Sequence, residues 1–329
     1  NARIDYKMHF LEELRAVAEM GIDKFDSDGF EETSTNSVSG YQPKTFSSGQ
    51  WTNLGNRRDY TDSRQNKNLN AYLNYVKEFG KLKVDLTGGY NYQLFQRQAY
   101  TTGEVRQPNP AEDVTTDPDI NLQSYFGRVN IGYDSRYLLT INYRKDGTSR
   151  FSEANRWGDF GGAAFAWNIA EESFLKDNKT ISALKLRVGY GTTGQQDISA
   201  SYDYLRRVTL GTVNSNYVFG STPYQVARTE GYNADIKWET ATEFNVGVDF
   251  GFLDNRINGS LNYFNKEASD LLADIAYPDG ANLRNSGFSN IGSVTTDGVE
   301  FNVNVDILKK DNLNWNVGFN VAYLNQEIT

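Results

Sequence analysis

The chain of 329 residues has little or none of several residue types that whole classes of protein require. It has no cysteine, which excludes a disulfide scaffold and a thiolate metal site. His9 is the only histidine, so a metal site built from several histidines is excluded too. No apolar run of 18 residues exists, and therefore no transmembrane helix is expected. The net charge of −9 disfavours nucleic-acid binding, which needs a basic face.

Alternation of apolar and polar residues is the strongest pattern that the chain does have. In "FNVGVDFGF", residues 244–252, phenylalanine and valine alternate with asparagine, glycine and aspartate. A period of two indicates a strand with one apolar face and one polar face. In a soluble sandwich the apolar face turns inward to a core. In an outer-membrane barrel it turns outward to lipid, and the polar face lines the lumen.

About twelve segments repeat this alternation, and no segment shows a convincing amphipathic helix. The segments are IDYKMHF, residues 14–25, LNAYLNY, LKVDLTGGYNY, VNIGY, YLLTINY, AAFAWNI, LKLRVGY, FNVGVDFGF, INGSLNY, VEFNVNVDI and WNVGFNVAY. The sequence therefore predicts an all-β fold.

The lengths of the connections favour a barrel over a sandwich. Short connections are predicted at 80–81, 134–136, 254–255 and 309–312, and long ones at 26–67, 99–120, 195–235 and 274–292. When the strands are placed in order, the short turns fall on one side and the long loops on the other. The connection 149–156 joins the long side, and 171–182 is the one longer connection on the short side. This sorting predicts a transmembrane up-and-down antiparallel β-barrel.

Aromatic residues recur near the ends of the predicted strands. They are Tyr133, Tyr137, Tyr143, Tyr263, Phe264, Trp315 and Tyr323. Rings at both membrane interfaces would form the aromatic girdles of a barrel. The simpler interpretation is that aromatic residues favour strands in general.

Two short motifs suggest binding chemistry that their surroundings do not support. "GYGTTG", residues 189–194, matches a dinucleotide-binding pattern, but it ends an amphipathic strand and no helical periodicity follows. We interpret its glycines as small residues on a crowded lumen face. "DSDGFEE", Asp26–Glu32, gathers four carboxylates that resemble hard oxygen ligands for calcium. Its spacing differs from that of an EF-hand, so a solvated acidic loop is the favoured interpretation.

Longer stretches resemble a known family, the SusC/RagA family of TonB-dependent outer-membrane transporters of Bacteroidota. The resemblance is strongest in RYLLTINYRKDGTSRF, NRWGDFGGAAFAWNIAEESFL and LKLRVGYGTTGQ, and continues in KWETATEFNVGVDFGFLDNRINGSLNYFNKEASDLL and NIGSVTTDGVEF. It covers residues 60–329 clearly and the start loosely. The resemblance implies a 22-stranded barrel with a plug in its lumen. On that basis residues 1–329 are expected to be a barrel portion of about twelve strands, without the plug domain or the TonB box.

The resemblance also implies what the protein does. It implies import of an oligosaccharide, or sometimes a peptide, across the outer membrane as a multi-pass protein in contact with lipid. The expected partners are a SusD-like surface lipoprotein, acting as a lid, and the TonB-ExbB-ExbD energy-coupling complex, acting through the plug. The family has no catalytic residues to carry over, so the chain is expected not to be an enzyme and to have no catalytic, cofactor-binding or metal-binding residue.

Residues 195–235 are the best candidate for contact with the ligand or the lid. This predicted loop contains five aromatic residues, Tyr202, Tyr204, Tyr217, Phe219 and Tyr224, and aromatic rings stack on sugars or on partner proteins. The alternative is a purely structural role, in which these rings only extend a hairpin above the membrane. Two other classes stay open at this point: a soluble β-sandwich that binds glycan, and a glycosidase with a carboxylate pair.

Overall fold

The computed structural model describes residues 1–34, 46–47, 50–51, 56–102, 112–176, 178–198, 202–210, 216–280, 282–310 and 312–329. Almost all of this part of the chain is β-strand. The strands are β1 (Ala2–Lys7), β2 (Leu14–Thr33), β3 (Phe46–Ser47), β4 (Gln50–Trp51), β5 (Asn56–Phe79), β6 (Leu82–Thr102), β7 (Glu112–Tyr133), β8 (Tyr137–Thr148), β9 (Trp157–Asn168), β10 (Ile181–Gln195), β11 (Val208–Leu210), β12 (Asn216–Phe219), β13 (Thr222–Gln225), β14 (Ala227–Thr229), β15 (Glu239–Phe252), β16 (Ile257–Ala276), β17 (Ser286–Lys310) and β18 (Leu313–Ile328). A short 3-10 helix, Ile169–Glu171, follows β9. Within these ranges there is no helix long and apolar enough to cross a bilayer.

Twelve strands form one sheet in the order β1-β2-β5-β6-β7-β8-β9-β10-β15-β16-β17-β18. Each strand lies next to the strand before it and the strand after it in this series, which is the up-and-down arrangement. Each of the twelve predicted segments overlaps one of these strands, although IDYKMHF runs three residues past the end of β1 and AAFAWNI one residue past the end of β9. The all-β, up-and-down prediction is therefore confirmed. The other strands make three small pairs, β3-β4, β11-β14 and β12-β13.

The short turns lie where the sequence predicts them. In the β7-β8 turn, Asp134 and Ser135 have φ of 52° and 55°, and the Arg136 N–H donates to the Tyr133 carbonyl at 3.0 Å. In the β15-β16 turn, Asp254 and Asn255 have φ of 56° and 59°, and the preceding Leu253 is also left-handed at 53°. The Arg256 N–H donates to the Leu253 carbonyl at 3.2 Å. Two consecutive left-handed residues are typical of a type I′ turn, whose twist matches antiparallel strands. Asparagine, aspartate and serine are residues that turns of this kind accept.

Three of the four predicted long loops, 26–67, 99–120 and 274–292, are shorter in the structure, whereas the connection between β10 and β15, 196–238, agrees with the predicted loop 195–235. Strand β2 continues to Thr33 and β5 begins at Asn56, so most of the predicted loop 26–67 is strand. The predicted loop 99–120 is likewise reduced, because β6 ends at Thr102 and β7 begins at Glu112. The prediction was wrong here for a physical reason: outside a membrane both faces of a strand meet water, so no apolar alternation marks it. Parts of both predicted loops lie outside the described residues.

The strand register separates an apolar face from a polar face. Across β10, β15, β16 and β17, one row reads Leu186, Val248, Leu261 and Phe301, and the next row reads Lys185, Asp249, Ser260 and Asn302. On the polar face the Arg187 guanidinium donates to Asp249 at 2.7 Å and to Asn262 at 2.8 Å. The two faces are therefore built from rows of like side chains, as the period of two predicts.

The motif at residues 189–194 lies inside strand β10 and is not followed by a helix. A Cβ atom on Gly189 would lie 2.8 Å from Oδ1 of Asn245 on the neighbouring strand. A side chain at residue 189 would therefore require the Asn245 amide to shift, in agreement with a small residue on a crowded face at this position, whereas Gly191 has only ordinary contacts.

The chain divides into two compact units. One comprises Asn1–Arg3, Glu19–Leu69 and Tyr92–Asn121, and the other comprises Ile4–Ala18, Asn70–Asn91 and Leu122–Thr329. In the second unit the buried apolar core lies mainly in the connections at the strand ends, and strand β9 contributes Phe160 to it. Its members are Phe151, Phe160, Ile198, Ile236 and Trp238, of which Phe151 and Ile236 are fully buried.

We predict that Val248→Arg destabilises the protein far more than Asn245→Arg. Val248 lies in the apolar row, whereas Asn245 lies on the polar face. An arginine facing lipid near the midplane costs about 2–4 kcal/mol, while a lumen substitution is milder. Urea unfolding of the full-length protein in lipid vesicles measures the difference. A larger loss from Asn245→Arg would mean that the two faces are reversed.

Candidate functional site

The apolar face carries two ladders of aromatic rings, both in the second unit. Near the long-loop end, Tyr125 lies 5.2 Å from Tyr90 and 6.3 Å from Trp157, measured between ring centroids. Near the short-turn end, Tyr137 lies 6.4 Å from Tyr133 and 6.3 Å from Trp167. Tyrosine and tryptophan suit an interface because their rings are apolar and their polar tips reach water.

The separation of the ladders matches the thickness of a membrane. On strand β9, Trp157 belongs to the ladder near the long-loop end and Trp167 to the ladder near the short-turn end. They are ten residues apart, which corresponds to about 33 Å of strand at 3.3 Å per residue. With a strand tilt of about 40°, this length spans about 25 Å, which is the height of the apolar band of an outer-membrane barrel. Tyr133 and Tyr137 are therefore girdle residues, as predicted. Phe264 is not, because it pairs with Asn245 on the polar face.

A hydrogen-bonded network fixes the short-turn end of the wall. Glu172 accepts hydrogen bonds from the Tyr137 hydroxyl at 2.5 Å, from Nε1 of Trp167 at 3.0 Å and from Nη1 of Arg136 at 2.8 Å. Arg136 also pairs with Asp134 at 2.6 Å. These contacts, the tyrosine hydroxyl first, hold the pKa of the Glu172 carboxyl below its usual range. The network ties the girdle rings to the β7-β8 turn and to the connection between β9 and β10.

We predict that this network weakens in acid. A carboxyl whose pKa is lowered by folding stabilises the fold above its unfolded pKa of about 4.3, and the stabilisation is lost as pH falls through the lower folded value. Unfolding of the full-length protein by urea at pH 7, 5 and 3 measures this. Glu172→Gln is expected to be less stable than wild type at pH 7 and to reduce the loss between pH 5 and 3. An unchanged pH dependence in the variant would contradict the assignment.

The connection between β10 and β15 is anchored to the strand ends below it. Nη2 of Arg150, which is buried, donates to Asp197 at 2.9 Å, and the arginine also contacts the Ile198 carbonyl. Nε1 of Trp238 donates to the Arg156 carbonyl at 3.0 Å. With the buried core around Phe151, these contacts hold both ends of the connection rigidly. A rigid base is what a binding loop needs to hold its exposed residues in place.

Three of the five candidate aromatic residues come together on this base. Strands β12 and β13 form a hairpin that turns at Gly220, where φ is +63°. Phe219 lies 4.8 Å from Tyr217 and 6.0 Å from Tyr224, measured between ring centroids. Between 55% and 66% of each residue is exposed. We call Tyr217, Phe219 and Tyr224 the hairpin patch.

The other two candidates form a separate pair. Tyr202 and Tyr204 lie 5.9 Å apart, and Tyr204 packs against the buried core. Across the described residues, no ring contact joins this pair to the hairpin patch. Tyr204 therefore supports the loop, whereas the hairpin patch is available to a ligand or a partner. Residues 199–201 and 211–215 of the predicted loop lie outside the described residues.

The acidic stretch 26–32 is not a loop, because it lies within strand β2. Along the strand Asp26, Asp28 and Glu32 share one face and Glu31 lies on the other, and Asp26 pairs with Lys24 at 2.9 Å. In the described part of the chain, no group of three or more acidic or histidine side chains converges as a metal site would require.

Together these features define the wall of an outer-membrane-type β-barrel. Comparison with known proteins gives the family. Residues 13–329 match the model of the family described as "TonB dependent receptor-like, beta-barrel". The chain is 36% identical, over its whole length, to the TonB-dependent receptor SusC of Bacteroides thetaiotaomicron, and 35% identical over 76% of its length to the TonB-dependent receptor P3 of Formosa agariphila. It belongs to the TonB-dependent receptor β-barrel family and is of the SusC/RagA type.

Solved structures agree on the fold. A chain of the RagAB peptide importer in its closed-closed state superposes on 97% of this chain with a TM-score of 0.80 at 22% identity. The outer-membrane transporter YddB of Escherichia coli covers 98% of this chain with a TM-score of 0.61 at 13% identity. The chain spans only part of the length of these relatives: 32% of SusC, 26% of P3, 35% of the RagAB chain and 41% of YddB. The curated relatives are receptors, in agreement with the expectation that the chain is not an enzyme.

Proposed function

We propose that this chain forms part of the wall of an outer-membrane importer whose cargo is an oligosaccharide. The observation that carries the proposal is the two-faced meander with a girdle at each end of its apolar face. Such a wall pairs its backbone groups between strands while it presents apolar side chains to lipid and polar side chains to an aqueous lumen. The family match supports transport as the purpose of that lumen.

We further propose that import depends on two partners. The TonB-ExbB-ExbD complex supplies energy through the plug domain that the family resemblance implies. A SusD-like lipoprotein covers the long-loop side of the wall, where the hairpin patch presents three rings to solvent. RagAB is described as a peptide importer. We propose that this chain also serves import, but that its cargo is an oligosaccharide and not a peptide. A peptide cargo is the alternative outcome of the uptake assays below.

The proposal predicts that the hairpin and the β15-β16 turn face opposite sides of the outer membrane. Because the chain has no cysteine, single substitutions report cleanly. In the full-length protein, Ser221→Cys should react with a membrane-impermeant maleimide on intact cells, whereas Asp254→Cys should react only after the cells are opened. Equal labelling of both positions on intact cells would contradict the proposed orientation.

The proposal also predicts a direct role for the hairpin patch. Replacing Tyr217, Phe219 and Tyr224 together with serine should reduce oligosaccharide uptake, or capture of the lid lipoprotein, by about fivefold or more. A buried aromatic anchor at an interface commonly contributes more than about 1 kcal/mol, which is about fivefold in affinity.

A matched control separates this role from general damage. Val218→Ser changes the same strand on the opposite face of the hairpin, where 59% of the residue is exposed. This variant should import and bind normally. If the triple variant also behaves as wild type, the rings only extend the hairpin and have no binding role.

A further inference from the structure

A cleft on the unit that contains Glu19–Leu69 and Tyr92–Asn121 has no role in the account above. Its volume is about 430 Å³, within the range of small-ligand sites. It is lined by Phe25, Ser27, Glu31, Arg58, Tyr60, Thr61, Asp62, Arg64, Arg97, Ala99 and Thr101. These residues come from β2, β5 and β6, from the parts of those strands that are farthest from the short turns.

The cleft lies on the lumen side of these strands. On β5 the lining residues Arg58, Tyr60 and Asp62 have even numbers, as does Asn74, whose amide donates to Asp85 at 2.7 Å and to Thr87 at 2.9 Å. Side chains two residues apart along a strand share a face. The cleft therefore belongs to the polar face and lies beyond the 9–11 residues that a strand needs to cross a bilayer.

The floor of the cleft is a closed set of ion pairs. Asp62 accepts hydrogen bonds from Arg64 at 2.8 Å and from Arg97 at 3.1 Å, and Arg97 also reaches Asp117 at 3.3 Å. The two arginines, Arg64 first, lower the pKa of the Asp62 carboxyl to about 2. The charges of these two guanidinium groups and two carboxylates therefore balance.

One donor and one acceptor are left to meet a ligand. Glu31 of β2 and Arg58 of β5 line the same cleft, on strands between which the Tyr60 ring approaches Gly29. Neither Glu31 nor Arg58 forms an ion pair with another described residue, and both are exposed. Each hydroxyl of a sugar both donates and accepts, so two neighbouring hydroxyls match a guanidinium and a carboxylate in one cleft.

Two aromatic rings complete the chemistry. Phe25 is 56% exposed and Tyr60 is 38% exposed, and both line the cleft. Because residue 29 is glycine, the Tyr60 ring can lie against the strand backbone, where a Cβ atom would be 2.6 Å from its hydroxyl oxygen. Exposed rings of this kind offer an apolar surface to the C–H face of a sugar.

We propose that this cleft is a saccharide subsite that binds one unit of an uncharged oligosaccharide. The inference rests on the proposed function, because it takes an oligosaccharide to be the cargo. The new element is that the oligosaccharide carries no charge. An acidic sugar would bring a negative charge beside Glu31 and Asp62, whose repulsion offsets what Arg58 offers. A neutral sugar meets a balanced site and satisfies the free donor and acceptor together.

Two adjacent arginines give a matched test. Arg58 lines the cleft, whereas Arg57 lies on the opposite face, where it pairs with Asp59 at 3.0 Å and covers the Phe30 ring. The full-length receptor in detergent is titrated by calorimetry with neutral hexose and pentose oligosaccharides and with oligosaccharides that contain uronic acids. Arg58→Gln should weaken binding of the best neutral oligosaccharide about tenfold, and Arg57→Gln should leave it within twofold. Hydrogen bonds to a charged group are of the strength that produces such a loss.

Tyr60 supplies a second variant pair that does not depend on charge. Tyr60→Phe keeps the ring and should bind like wild type, whereas Tyr60→Leu should bind several times more weakly. Thermal unfolding of each variant shows whether it has folded. A role in folding alone would lower the unfolding temperature of Tyr60→Leu without weakening binding by the folded fraction.

The outcomes separate this inference from the proposed function. If the receptor imports and binds neutral oligosaccharides but neither Arg58→Gln nor Tyr60→Leu weakens binding, the cleft is not a subsite while the import proposal stands. If uronic oligosaccharides bind more tightly than neutral ones and depend on Arg58, the assignment of an uncharged cargo is wrong. If no oligosaccharide is bound or imported and peptides are, the oligosaccharide cargo of the proposed function is wrong, and the saccharide subsite fails with it.

Discussion

Every feature of this chain depends on the pairing of backbone N–H and C=O groups where no water is available. Hydrocarbon offers no hydrogen-bond partner, so each strand must pair on both sides with another strand. The order of the twelve-stranded sheet provides this pairing between neighbours in the chain. Since alternate side chains then point to opposite faces, one face can meet lipid while the other meets water. The rows that contain Val248 and Asp249 show how sharply the faces differ.

The same constraint explains where binding can occur. Inside the apolar band one face of each strand must contact lipid and the other must face the lumen, so few side chains can vary there. Beyond it, side chains on both faces meet water, and the chain builds local structure from contacts between connections. Phe151 and Trp238 form a small core there, and Arg150 joins two connections through Asp197. The hairpin patch and the saccharide subsite both lie in these parts of the chain.

Strands and tight turns could be predicted from the sequence because their signals are local. Alternation marks each strand, and Asp254-Asn255 marks a turn without any knowledge of the rest of the chain. The extent of β2 and β5 could not be predicted, since polar strands outside the membrane lose their alternation. The placement of Glu31 and Arg58 in one cleft was hidden for the same reason. The contact of Tyr204 with the buried core depends on residues distant in the sequence, which no local pattern contains.

The central claim is that alternate residues of this sheet meet lipid and water. Spin labels placed one at a time at residues 243–250 of β15, in the full-length protein in lipid vesicles, test it most directly. Collision with oxygen, which concentrates in lipid, is compared with collision with a water-soluble nickel complex. We predict oxygen maxima at 244, 246, 248 and 250 and nickel maxima at the positions between them. A profile without a period of two, or with oxygen maxima at the odd-numbered positions, would contradict the account.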